Sequence, residues 1–175
     1  MNEVIKAMLT RRSVRKYTKE KVSKELLDQV IEAGTYAASA KGRQPWLILC
    51  VTNEALLERM ARLNAAILGK DFEEYDPFFG APAALVVLAQ KDVPTRAYDG
   101  SLMMGNLMLA AHALGLGSCW VNRAYELFES EEGKQILREL GVEGEYEGVG
   151  NCVLGYIDGP VREAAPRKDC VVYVP

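Results

Sequence analysis

Arg11, Arg12, Ser13 and Arg15 stand close together in the stretch TRRSVRKYTKE, residues 10–20. Guanidinium groups match phosphate oxygens in geometry and keep their charge at any working pH, and a serine hydroxyl adds one more donor. In an extended segment Arg11, Ser13 and Arg15 share one side and Arg12 takes the other. Such a segment clamps a phosphate with one face while Arg12 reaches a different part of the same ligand. A basic turn lying in solvent after a helix, favoured by the helix dipole, fits the same residues. The whole chain is mildly acidic, with a formal net charge of -3. The basic run is therefore local, and the broad positive surface that a nucleic-acid binder uses to displace counterions is missing.

Side chains for acid–base or covalent catalysis are scarce. The single histidine, His112, lies inside a long apolar stretch and reads as a packed, hydrogen-bonded residue rather than a base. No G-x-S-x-G, H-E-x-x-H, P-loop or G-x-G-x-x-G after a strand occurs, so hydrolase, zincin, triphosphatase and Rossmann readings lack support. Cys50, Cys119, Cys152 and Cys170 are scattered, form no C-x-x-C pair and read as free thiols, with no metal site. An enzyme so poor in catalytic side chains borrows its chemistry from a cofactor. No catalytic side chain is therefore assigned.

The elements that must position the basic run follow from periodicity. The 175 residues, 49% hydrophobic and 26% charged, suit one folded domain, 1–175. A short helix from Asn2 or Glu3 precedes the run. Ser23, Asn53 and Ser130 read as N-caps of further helices. The apolar runs WLILCVT (46–52) and AALVVLA (83–89) read as buried strands, and SAKGRQP (39–45) as a loop. The segment 101–121 holds no Asp, Glu, Lys or Arg, but Gly115 and Gly117 divide it. It parses as a helix over about 98–114, a glycine turn and a strand over 118–121, not as a membrane span. A helix apolar on nearly all sides belongs in a core or a subunit interface, which points to a dimer. Strands over 150–157 and 170–174 complete the pattern. Helices and strands without strict alternation favour α+β. The N-terminus lacks the order of a signal peptide, so a cytoplasmic protein is expected.

Taken together, the pieces resemble the nitroreductase family. The carriers are RRSVRKY (11–17), ASAKGRQPW (38–46), FGAPAALVVLA (79–89), DGSLMMGNLMLAAHALGLGSCWV (99–121) and PRKDCVVYV (166–174), in order over nearly the whole chain. The resemblance implies an α+β fold with a mixed, largely antiparallel sheet flanked by helices, in an intertwined homodimer. It implies that segment 160–175 extends onto the partner subunit, and that two FMN sites lie in the interface. By position, Arg11, Arg12, Ser13 and Arg15 would bind the FMN phosphate, ribityl chain and pyrimidine side, with Arg12 set to stabilise charge on the reduced ring. Arg167, with Lys168, would complete the phosphate site. Ala38, Ser39 and Ala40 would reach the flavin of the other subunit, with Arg43 beside them. Trp120, Val121 and Asn122 would lie along the isoalloxazine, with a backbone N–H near flavin N5. Asn122 replaces an acidic residue of larger members, whose extra helical insertion is also missing. The aromatics Phe72, Tyr75, Phe78 and Phe79 would form part of a pocket lid. The activity implied is hydride transfer from NADH or NADPH through FMN to a small-molecule acceptor, a nitroaromatic or quinone, by a ping-pong mechanism. Flavin destruction, reductive dehalogenation, enone reduction and a non-catalytic redox sensor stand as alternatives on the same scaffold.

Overall fold

A computed structural model describes residues 2–175. In chain order the elements are α1 (Glu3–Thr10), α2 (Lys24–Thr35), β1 (Trp46–Val51), α3 (Glu54–Ile67), β2 (Ala83–Gln90), α4 (Arg96–Ala113), β3 (Gly117–Val121), α5 (Ala124–Glu129), α6 (Glu131–Glu139) and β4 (Tyr146–Gly155). The caps lie where the side chains place them. Ser23 accepts from the Leu26 N–H, Asn53 from Leu56 and Ser130 from Gly133, so each satisfies a donor the helix leaves free.

The sheet has the order β1-β2-β4-β3, and every ladder is antiparallel. The α+β expectation holds. The only parallel contact among the described residues is the isolated bridge between Ser13 and Ser118. Both faces of the sheet are covered, which is why β2 reads as a continuous apolar run instead of an alternating one. Ala84, Val86 and Leu88 join a core with Leu57 and Met60 of α3, Leu127 and Phe128 of α5 and Ile136 of α6. Ala83, Leu85 and Val87 face the opposite way, onto Leu27 and Val30 of α2 and Met103, Met104 and Leu107 of α4. Gly34 sits against the Leu107 side chain, so α2 and α4 pack closely there.

Four expectations need correction. The run Cys170–Val174 forms no strand in this chain: it is extended and exposed, because no neighbouring strand offers it hydrogen bonds. β4 starts at Tyr146 rather than 150, and the charged Glu147 enters the sheet because Arg96 pairs with it at 2.9 Å. Helix α5 was not expected. All four cysteines are free, and Cys50 is exposed although its apolar run suggested burial, since it lies on the edge strand β1.

Candidate functional site

Residues 11–18 leave α1 in an extended conformation and fasten to the ends of β3 and β4. The Val14 N–H donates to the Ser118 carbonyl at 2.9 Å, the Thr18 N–H to Tyr156 at 2.9 Å, and the Asp158 N–H to Lys16 at 3.1 Å. Val14 and Tyr17 anchor the segment in the core, and the Tyr17 hydroxyl donates to the Val14 carbonyl at 2.7 Å. Gly117 makes this docking possible: a Cβ there would stand 2.8 Å from Ile157 and 2.9 Å from Val14. Gly115, with φ of 81°, turns the chain from α4 into β3. The glycine-rich turn thus brings the basic run against the sheet.

Ser13 and Arg15 are exposed, and Arg11 is half-buried. Burial raises the pKa of the buried Cys119 thiol, while Arg15, Ser13 and Arg11 pull it back. Arg12 departs elsewhere: its Nη1 donates to the carbonyls of Leu9 at 2.7 Å and Arg11 at 2.6 Å, closing the end of α1. One edge of the Arg12 guanidinium is therefore committed to the backbone. Arg11 Nη1 and Arg12 Nε are shut away from solvent without an acceptor. Buried charged donors seldom stay unpaired, so this donor set fits an anionic, phosphate-bearing ligand such as FMN. His112, at the end of α4, shares a 2.8 Å hydrogen bond with Thr10 Oγ1. Burial, then Arg11 and Arg12, lower its pKa and favour the neutral ring.

A cavity of about 230 Å³ opens beside Ser13 and Arg15, and Arg162 shares its lining. Sequence reasoning missed Arg162. Arg167 and Lys168 do not line this cavity; Arg167 turns back on the Ala165 carbonyl at 2.7 Å and both are exposed. The aromatic loop is partly rearranged from expectation. Phe78 is a core residue, whereas the Phe79 ring lies 5.9 Å from the Arg15 guanidinium and packs edge-on to Tyr75. Phe72 lies under Arg62.

The loop 38–44 is held from α4. Asp99, buried, accepts from the Ala40 N–H at 3.0 Å and from the Thr95 hydroxyl at 2.8 Å. Ser39 Oγ accepts from the Gln44 N–H at 3.1 Å. Lys41 and Gln44 take left-handed backbone, φ 55° and 47°, a strained state kept where the surroundings enforce it. Ala38 and Arg43 are exposed. Trp120 packs against Gly150 and Met104 with its indole N–H buried and unpaired. Val121 is half-buried and Asn122 exposed, at the open end of β3. Asp99 carried no signal in the sequence beyond an acid near a helix start.

A family model described as the nitroreductase family matches residues 8–156, and the chain belongs to that family. A relative from Methanothermobacter thermautotrophicus, with a name of the NADH dehydrogenase/NAD(P)H nitroreductase type, is 32% identical over 136 residues. The match takes in 75% of this chain and 66% of that protein, just under two thirds of its length. Among solved structures, a nitroreductase with bound FMN from Bacteroides fragilis superposes with a TM-score of 0.90 at 27% identity, over 100% of both chains. One from Desulfitobacterium hafniense, also with bound FMN, gives 0.89 at 27%, again over 100% of both chains.

Proposed function

We infer that this chain is an FMN-dependent NAD(P)H oxidoreductase that passes hydride to a nitroaromatic or quinone. The observation that carries this reading is a basic segment fastened to β3 beside a cavity lined by Ser13, Arg15 and Arg162, with a buried Arg11 N–H awaiting an acceptor. When bound, FMN supplies two-electron chemistry, taking hydride at N5 and yielding it to a second substrate in the same place. The protein's own work is to bind, orient and tune. Arg11, Ser13, Arg15 and Arg162 would hold the phosphate. The second edge of Arg12 would supply positive charge where the reduced ring gathers negative charge. The end of β3, from Trp120 to Asn122, would lie along the ring. No side-chain acid or base is needed for hydride transfer.

The reading includes a homodimer. Apolar side chains of α1 (Val4, Ile5, Met8 and Leu9) and of α4 (Leu102) are exposed in the single chain, and clustered exposed apolar side chains mark interaction sites. Val172 and Tyr173 of the C-terminal arm are 86% and 88% exposed. Strand β1 pairs only with β2, and an unpaired edge invites another strand. The arm 160–175 of one protomer would add there to its partner's sheet and bring Arg167 and Lys168 toward a flavin site, while the loop 38–40 reaches the flavin of the other subunit. None of the described helices is long and apolar enough to cross a membrane. Exposed free thiols at Cys50 and Cys170 suit the reducing cytoplasm. Steady-state kinetics with NADH or NADPH against menadione or a nitroaromatic test the reaction. Parallel double-reciprocal lines are expected, and intersecting lines would contradict alternate use of one pocket.

A further inference from the structure

Asn151 lies on β4, opposite Val121 of β3 and Val86 of β2, and is completely buried. Its Nδ2 donates to the Val121 carbonyl at 3.2 Å and to the Asn122 carbonyl at 3.3 Å. Two carbonyl acceptors fix which end of the carboxamide faces the turn. Its Oδ1 is left without a partner, so the side chain is poorly explained as mere core filling. The next residue, Arg123, takes left-handed backbone at φ 76° without being glycine.

We propose that Asn151 is a positioning residue for the flavin edge. A trans peptide is planar, so its C=O and the following N–H point in opposite directions. By pinning the carbonyls of Val121 and Asn122, Asn151 turns the N–H groups of Asn122 and Arg123 away from itself, toward the open side of the turn. Neither N–H donates to a protein acceptor among the described residues. Two oriented, unspent donors at the end of β3 suit the acceptor atoms N5 and O4 of an oxidised flavin. The inference rests on the flavin reading above and deepens it.

Asn151→Leu, which keeps the shape and removes the donors, and Asn151→Ser test it. In apo protein, ¹H–¹⁵N spectra should show changed shifts at Asn122 and Arg123, confined to that turn. In FMN-loaded protein, flavin reduction at saturating NADH should slow by about ten- to a hundredfold while FMN affinity falls by a smaller factor, the pattern of a misplaced group rather than a lost site. Unchanged turn amides, or changed amides with a wild-type reduction rate, would overturn the proposal. If Asn151→Leu does not fold, Asn151→Ser decides by the same readouts. A wild-type protein that takes up no FMN defeats the flavin reading, while the apo spectra still decide whether Asn151 holds the turn.

Discussion

Replacing Arg11 and Arg15 together by alanine should abolish FMN binding without harming the apo fold. Arg15 lines the cavity beside Ser13, and Arg11 Nη1 is buried without an acceptor. A hydrogen bond to a charged group contributes about 1.5–3 kcal/mol. Losing one from each arginine costs about 3–6 kcal/mol, or about two to four decades in Kd. The apo protein should respond in the opposite sense. Arg11 Nη1 has no acceptor, so its removal orphans nothing and relieves an unpaired buried donor. The apo melting temperature should hold or rise, while the stabilisation that FMN confers on the wild type disappears. Titrations followed by flavin fluorescence, with thermal melts of both forms, read all of this. Riboflavin is the control: without a phosphate, its affinity should be the same for both proteins. A double variant that keeps wild-type FMN affinity, or that loses riboflavin and FMN equally, would refute the phosphate clamp.

Gly117→Ala forces a methyl group against Val14 and Ile157. Overpacking of this kind costs about 1–3 kcal/mol, which lowers the melting temperature by about 2–12 °C in a domain of this size. FMN affinity should fall as well, because the basic segment is lifted from β3; unchanged melting would show that the segment has room to move. Deleting 160–175 should convert dimer to monomer in analytical ultracentrifugation, and a truncated dimer of full strength would remove the arm from the interface. For His112 the folded pKa lies below the unfolded one. The folded state then binds fewer protons, so stability is flat above about pH 6.5 and declines as the pH falls below it. Denaturant unfolding of His112→Asn should lack that part of the decline, and an identical pH profile would refute the assignment.

The sequence disclosed most where one local pattern determined the outcome. The caps at Ser23, Asn53 and Ser130 and the apolar runs of β1 and β2 lie where they were expected. What stayed hidden depends on distant partners. Glu147 looks like a loop residue until Arg96 crosses to it. Helix α5 follows a left-handed Arg123, where no glycine announces a turn. Cys170–Val174 has strand composition but no partner within the chain. Asp99 and Asn151 act by holding backbone far away in sequence, at Ala40 and at Val121 and Asn122. No spacing rule links such pairs. Arg162 stands between Val161 and Glu163 with no basic neighbour, whereas Arg167 and Lys168 form an adjacent basic pair, so spacing alone favoured the pair.

The central claim is that this chain holds FMN and lets a nicotinamide reduce it. The most direct measurement is the absorbance spectrum of purified, FMN-reconstituted protein during anaerobic titration with NADH and then NADPH. One flavin per chain that bleaches stoichiometrically with either donor, and regains its colour on adding a quinone, is the predicted result. A protein that binds no flavin, or one that stays yellow with both donors, would contradict the account.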